Sequence, residues 1–362
     1  MINFFDIEFK RSIIHTILPK DVGSESALAV ESNDIIEIDE TVSYTIVERL
    51  SKAVEKQTKT FELSIEETHP TSFFNFALEM FDSNEVLFID NSKKIANLLA
   101  NAQTSSRHSG GYLVIIEGIR SNTEKKVFIL IKAELQEALI YYQNDIKLIE
   151  NVFLSPAQKM FKFAVLFERE ENEINDLPEF YSEPNIQWGC LIHDEQFRVD
   201  SKPAEYFYKD FLGFSTINNA PIQTKKFYTK TEDFVKNYYD SFSQKNEILN
   251  KLSDRLIDES INLIDPKIIA DELFEKPELK EQYNNEVVPL LPYNISKDNL
   301  LIRSNLNIKK ISFPNNIKIS GPADYIDVNV EIINSKEDLE KLSTEQSSYT
   351  IIKISGKPYT KE

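Results

Sequence analysis

The sequence predicts an α+β fold, on three observations. Helical periodicity of four residues dominates the first hundred positions, short β-rich runs divided by polar turns follow Gly110-Gly111, and helical spacing returns after Asp200 before strands close the chain. This order predicts N-terminal helices with an antiparallel sheet, then C-terminal helices with a small β-sheet. A doubly wound parallel sheet would need strands and helices to alternate throughout, and they do not.

Each element has a local reason. Asn3 to Lys10 alternates as a strand does, and Ala27 to Glu31 repeats the pattern after the Gly23-Ser24 turn. Val42, Ile46, Leu50 and Val54 make one apolar stripe, so a helix is expected over 41–54, with Asp39 and Glu40 favouring its N-terminus. Phe73 to Phe81 forms another helix after Pro70, and Ile95 to Ala102 a third, with Ser92 as its cap. The first hundred residues thus read as mostly helical.

Tyr112 to Ile119, Val127 to Ala133, Ile146 to Leu154, Met160 to Glu168 and Ile186 to Ile192 then read as an antiparallel meander. The run Glu168 to Glu173, followed by Pro178 and Pro184, is expected to be a solvated acidic loop. After Pro203, helices are expected up to Gly213, around Phe234 to Phe242, over Ile248 to Leu256, and over 266–274 and 278–288. Past the Pro289, Pro292 and Asn294 linker, strands are expected at Leu306 to Phe313, Ile317 to Ser320, Val328 to Ile333 and Tyr349 to Ser355.

At 362 residues the chain exceeds what one core usually serves, so two domains are expected, 1–194 and 195–362. With 24 Phe and 15 Tyr it has the apolar area for both. No run approaches the roughly 18 apolar residues of a membrane span, and Asp6 and Glu8 interrupt the start, so a cytoplasmic protein with no membrane contact is expected. A single cysteine and four scattered histidines exclude a disulfide scaffold and a zinc finger. None of the 8 glycines falls in a phosphate-cradling pattern, so no nucleotide cofactor is expected. The net charge of −18 opposes global attraction to nucleic acid, and any DNA-binding surface must be local.

Catalytic constellations are weak. No GxSxG elbow occurs. Cys190 and His193, three apart on a strand, point to opposite faces and cannot pair locally; Cys190 reads as a core residue, and His69 and His108 as exposed loop residues. Glu117, Asp145 and Lys147 come nearest to a metal-dependent nuclease set, but 59 acidic residues produce such matches by chance, so no metal and no catalytic residue is expected. Lysine interleaved with aromatics is more informative. Lys225, Lys226 and Lys230 surround Phe227-Tyr228 where they would open a helix, able to set ammoniums and helix N-terminal amides against phosphates. Lys309, Lys310 and Lys318 make a second patch, and Arg107 a third candidate. Ordinary solvated lysine is the competing reading.

Several segments carry a family resemblance: the 41–57 helix leading into Phe61-Glu62-Leu63, the Gly110-Gly111-Tyr112-Leu113-Val114 strand, Asp210-Phe211-Leu212-Gly213-Phe214, and the closing strand Tyr349 to Pro358. In these the chain resembles the bacterial nucleoid-associated proteins of the NdpA type. That likeness implies a non-enzymatic protein of the nucleoid that binds double-stranded DNA without sequence preference, and it supplies no catalytic motif. A homodimer is also expected, from apolar helices near Phe242. The alternative is an acidic interaction module, in a phage-defence or mobile-element setting, that engages a DNA-handling protein by presenting charges like those of DNA.

Overall fold

A computed structural model describes residues 2–134, 136–142, 145–152, 162–177, 181–197, 205–306, 308–312 and 318–322. The chain is α+β and divides between Asn219 and Ala220 into two compact units. Residues 205–219, grouped by the sequence reading with the second domain, lie in the first unit.

In the first unit a nine-stranded antiparallel sheet is built from β1 (Ile7–Leu18), β2 (Leu28–Val30), β3 (Ile35–Ile36), β4 (Thr60–Ile65), β5 (Gly111–Arg120), β6 (Lys126–Ala133), β9 (Lys162–Glu168), β10 (Trp188–Asp194) and β11 (Phe214–Ser215). Their order is β11-β4-β10-β9-β6-β5-β1-β2, with β3 also on β1. A separate hairpin pairs β7 (Gln136–Tyr142) with β8 (Asp145–Val152). β7 has no counterpart in the sequence reading. Neither does the length of β1: Arg11 to Leu18 continues the strand after a register shift between Phe9 and Arg11, so the first hundred residues are less helical than expected.

Period-2 alternation divides the sheet residues between two faces. Val127, Ile129 and Ile131 of β6, with Phe163 and Val165 of β9, pack under the Ile46, Val47 and Leu50 stripe of α1 (Glu40–Val54), which Asp39 caps by accepting from the Val42 amide. Phe128 belongs to the opposite face, where its ring lies 6.0 Å from Phe73 of α2 (Phe73–Met80) and 5.9 Å from Phe81. α3 (Glu85–Ala102) covers that face too. It begins a full two turns before the expected cap, because Asn84 supplies the capping oxygen. Ser92 instead sits buried in mid-helix, within 2.9 Å of His15 Nε2 on β1.

The acidic run is not a solvated loop. Glu170 and Glu173 form a capping box at α4 (Glu171–Asn175), and Arg120 pairs with both at 2.9 and 3.0 Å, while Glu168 holds Lys125. Tyr206–Phe211 forms a π-helical turn. Gly213 follows with φ +69, a left-handed conformation that lets the chain reverse and lay Phe214 beside Ile65 as the edge strand.

The second unit is helical: α5 (Ala220–Tyr238), α6 (Phe242–Ile257), α7 (Pro266–Leu273), α8 (Pro277–Glu286) and α9 (Arg303–Leu306). Its core centres on Phe234, Phe274 and Tyr283, whose ring centroids lie within 5.2 to 5.3 Å of one another. Asp265 caps α7 with Pro266 at its first position, where a helix over 266–274 is expected. β12 (Leu263–Ile264) pairs with β13 (Ile295–Ser296), and β14 (Ile308–Ser312) with β15 (Lys318–Pro322). The strands expected at Val328 to Ile333 and Tyr349 to Ser355 lie outside the described residues.

Candidate functional site

Lys225, Lys226 and Lys230 lie inside α5, not at its start, because the helix begins at Ala220. The first-turn amides belong to residues 220–223, so Lys225 and Lys226 stand just past the first turn and Lys230 a turn further on. At about 100° per residue, Lys226 and Lys230 share one flank of the buried Phe227 and Phe234 face, and Lys225 lies with Lys236 on the side opposite that face. All three are half-buried.

Lys309 and Lys310 stand on β14 opposite Gly321 and Ser320, and Lys318 on β15 opposite Ser312. The stretch leading into this hairpin is stitched to α5. Thr224 Oγ1 donates to the Ser296 carbonyl at 3.3 Å and accepts from the Asp298 amide at 3.0 Å, and Tyr228 is hydrogen-bonded by the Asn305 side chain. The tertiary structure thus joins the helix of the first lysine patch to the segment carrying the second. From Lys297 to Gly321 five cations accompany a single acid, Asp298.

The charge of the chain is partitioned. Residues 1–219 hold 21 basic and 36 acidic side chains, a net −15, while residues 220–362 hold 20 and 23, a net −3. Nearly all the repulsion toward a polyanion resides in the first unit.

Arg107 belongs to that acidic unit. It stands at a cavity of about 560 Å³ that is also lined by His108, Glu134, Lys162, Tyr206 and Asp210. The cavity was not legible from motifs, and its position follows from strand register. Lys132 of β6 stands directly opposite Lys162 of β9, which stands opposite Asp194 of β10, so all three share one face at one end of the sheet. All are almost wholly buried. Lys162 Nζ lies 2.5 Å from Asp194 Oδ2, and Lys132 Nζ donates to the Ser109 carbonyl at 3.0 Å. Burial holds the Lys132 ammonium down to about 8, a cost that Glu134 partly offsets. Lys162 is also lowered by burial, against the pull of Asp194. His108, expected as an exposed loop residue, is half-buried and stacks on Tyr206 with ring centroids 4.1 Å apart. Burial, then Lys132 and Lys162, lower its pKa, so it is neutral at pH 7. Burial raises the Tyr206 phenol. The signal that could have exposed this cluster is a lysine inside each of two apolar strands, VFILIKA and KFAVLF.

Among the nuclease candidates, Glu117 stands on β5 of the large sheet. Its carboxylate is held by Arg11 Nε at 2.6 Å, and Arg11 is fixed in turn by the Met80 and Ser83 carbonyls. Asp145 and Lys147 are on β8, in the separate hairpin. Among the described residues, no group of three or more His, Cys, Asp or Glu is placed to hold a metal ion. Cys190 is fully buried and its thiol pKa is raised well above the ordinary range. His193 faces the α1 side of β10, where Thr60 Oγ1 bonds its Nδ1 at 2.8 Å.

These features define a two-unit α+β protein with its acidity concentrated around the large sheet and a local basic segment in the helical unit. The family model described as nucleoid-associated protein YejK matches residues 13–334, and the chain belongs to that family. No curated protein matches the chain. Among the described residues no helix is long and apolar enough to cross a membrane.

Proposed function

We propose that this protein binds double-stranded DNA in the bacterial nucleoid, within the cytoplasm, without sequence preference and without catalysing a reaction on it. The observation that carries the reading is the charge partition: −3 on the second unit against −15 on the first, with the basic run from Lys297 to Lys318 beginning on a segment bonded to α5. Family membership supports the nucleoid assignment. Lys225, Lys226, Lys230, Lys309, Lys310 and Lys318 supply the phosphate contacts, and binding is a counterion-release process. Arg107 sits in the acidic unit and is left out of this contact set. The working form is a homodimer, which doubles the basic segments on one duplex.

Retention of a random-sequence duplex at low salt tests this. Joint replacement of the six lysines by Glu abolishes retention, whereas Arg107→Glu leaves most of it. Equal retention by the six-lysine variant overturns the assignment. The net −15 of the first unit favours a second reading, in which that surface engages a basic DNA-handling protein. Capture of such a partner from nuclease-treated lysate, released by salt, distinguishes it from DNA-bridged recovery.

A further inference from the structure

We propose that the open margin of the large sheet, on the side where α1 packs, is a docking surface for a lysine- and arginine-rich amphipathic segment of another protein. It rests on the second reading above, in which the first unit engages a basic protein, and is independent of DNA binding.

Strand register defines the surface. From Arg11 to Ile17 the pairing of β1 runs without a shift, so Ser12, Ile14, Thr16 and Leu18 point to one face. Pairing adds Val30 opposite Thr16, Leu28 opposite Leu18 and Ile36 opposite Ser12 to that same face. Ile14 packs against the cluster that holds Ile46, Val47 and Leu50, so this is the face under α1. Yet the margin is uncovered: Leu28, Val30, Leu18 and Ile36 are 62, 48, 41 and 37% exposed. On the opposite face α3 roofs β1, and His15 meets Ser92 there. An antiparallel sheet that faces water usually carries polar side chains on its wet face. Here the wet positions of β1, β2 and β3 hold Leu, Leu, Val and Ile. Scattered apolar residues on a surface are ordinary, whereas a contiguous strip marks a contact.

Charge selects the occupant. From Asp21 to Glu40, the stretch that carries β2 and β3, the chain has seven acidic side chains and no basic one, and all seven are exposed. Lys93 of α3 reaches Asn33 at 2.6 Å and leaves the acids in excess. A second copy docked face to face would set these acids against their own kind, and an anionic membrane or a duplex is repelled in the same way. An amphipathic cationic segment satisfies both features, with its apolar side chains on the strip and its ammonium or guanidinium groups over the flanking acids.

The probe is a fluorescein-labelled peptide of Leu and Lys with Leu at i, i+3, i+4 and i+7, titrated into the full-length protein by anisotropy. Its controls are a peptide of the same composition with the leucines scattered, and one with Glu in place of Lys. The patterned Leu-Lys peptide binds, binds more tightly than either control, and weakens with salt. Leu28→Ser with Val30→Ser, at exposed positions, weakens it roughly tenfold or more through lost apolar burial. Val86→Ser with Ile217→Ser, exposed in α3 and after β11 of the same unit, leaves it unchanged. Glu25→Lys with Glu37→Lys weakens it and flattens its salt dependence. The urea midpoint of Trp188 fluorescence confirms that each variant is folded. No binding, equal binding of the patterned and scattered peptides, or an affinity unmoved by Leu28→Ser with Val30→Ser overturns the proposal. So does a dimer in sedimentation velocity that the same two substitutions dissociate, which gives the face to a second copy. Peptide titration, capture from lysate and duplex retention are read separately, so the docking surface, the second reading and the DNA reading can each fail alone.

Discussion

The Lys162 ammonium lies 2.5 Å from the Asp194 carboxylate on the neighbouring strand, and both are almost wholly buried. A second lysine, Lys132, stands directly opposite Lys162 on the other side. Such an arrangement withstands removal of a pair better than removal of one partner, because a lone buried charge keeps its desolvation cost without its compensation.

Lys162→Met accordingly destabilises the first unit by about 3 to 5 kcal/mol, and Lys162→Met with Asp194→Leu regains most of it. Trp188, the single tryptophan, lies on β10 stacked on Phe81 with ring centroids 5.7 Å apart, so its fluorescence in urea reports the first unit alone. A double variant no more stable than Lys162→Met would contradict the buried-pair account.

Two buried histidines make the first unit acid-labile. His15 accepts from the Ser32 amide at Nδ1 and lies against Ser92, and burial is the main cause holding both it and His193 down to about 4 from an ordinary 6.5. The unfolded chain binds more protons than the native one between those values, so stability is complete above pH 6.5 and is lost as pH falls toward 4, by at most about 3 kcal/mol per histidine. The urea midpoint of the Trp188 signal should fall over that window, and His15→Gln should flatten its slope.

Lys132 acts in the alkaline range with the same sign. Its folded pKa of about 8 lies below the ordinary 10.5, so below pH 8 the cost of burying its charge is fully present, and stability rises from there toward pH 10.5. Lys132→Met removes this rise.

DNA binding through lysine contacts weakens steeply with salt. Six phosphate contacts predict a slope of log affinity against log salt of about −5, and each lysine removed lowers its magnitude by about 1. A shallow slope unaffected by Lys225→Glu or Lys309→Glu would move the interface away from these patches.

Purified protein leaves plasmid and linear DNA intact in magnesium or manganese. Glu117, the nuclease candidate nearest the core, is already neutralised by Arg11. Cleavage that Asp145→Ala abolishes and Glu171→Ala preserves would reverse the non-enzyme reading.

Elements governed by local chemistry were legible. Asp39 and the Val42, Ile46, Leu50 spacing mark α1, the 266–274 helix is found as α7, and Val127 to Ala133 marks a strand, because caps and periodicity act within a few residues. The errors occur where a distant partner decides. Ser92 has the chemistry of a cap, yet it serves His15, 77 positions earlier; Glu170 and Glu173 look solvated, yet Arg120 binds both. Lys225 and Lys226 appear to open a helix that in fact begins at Ala220.

By itself the sequence determined the α+β class, the succession of most helices and strands, the absence of standard phosphate-loop and hydrolase motifs, and the need for any DNA surface to be local. These follow from composition and short-range periodicity, which every residue carries with it. Tertiary structure alone decided that β4 and β10, more than a hundred residues apart in sequence, are neighbours, that Lys132, Lys162 and Asp194 align across three strands, and that the segment before β14 is bonded to α5. Strand order and register are long-range pairings, chosen by how whole faces bury against each other. No local pattern encodes which lysine will meet which carboxylate once those faces close.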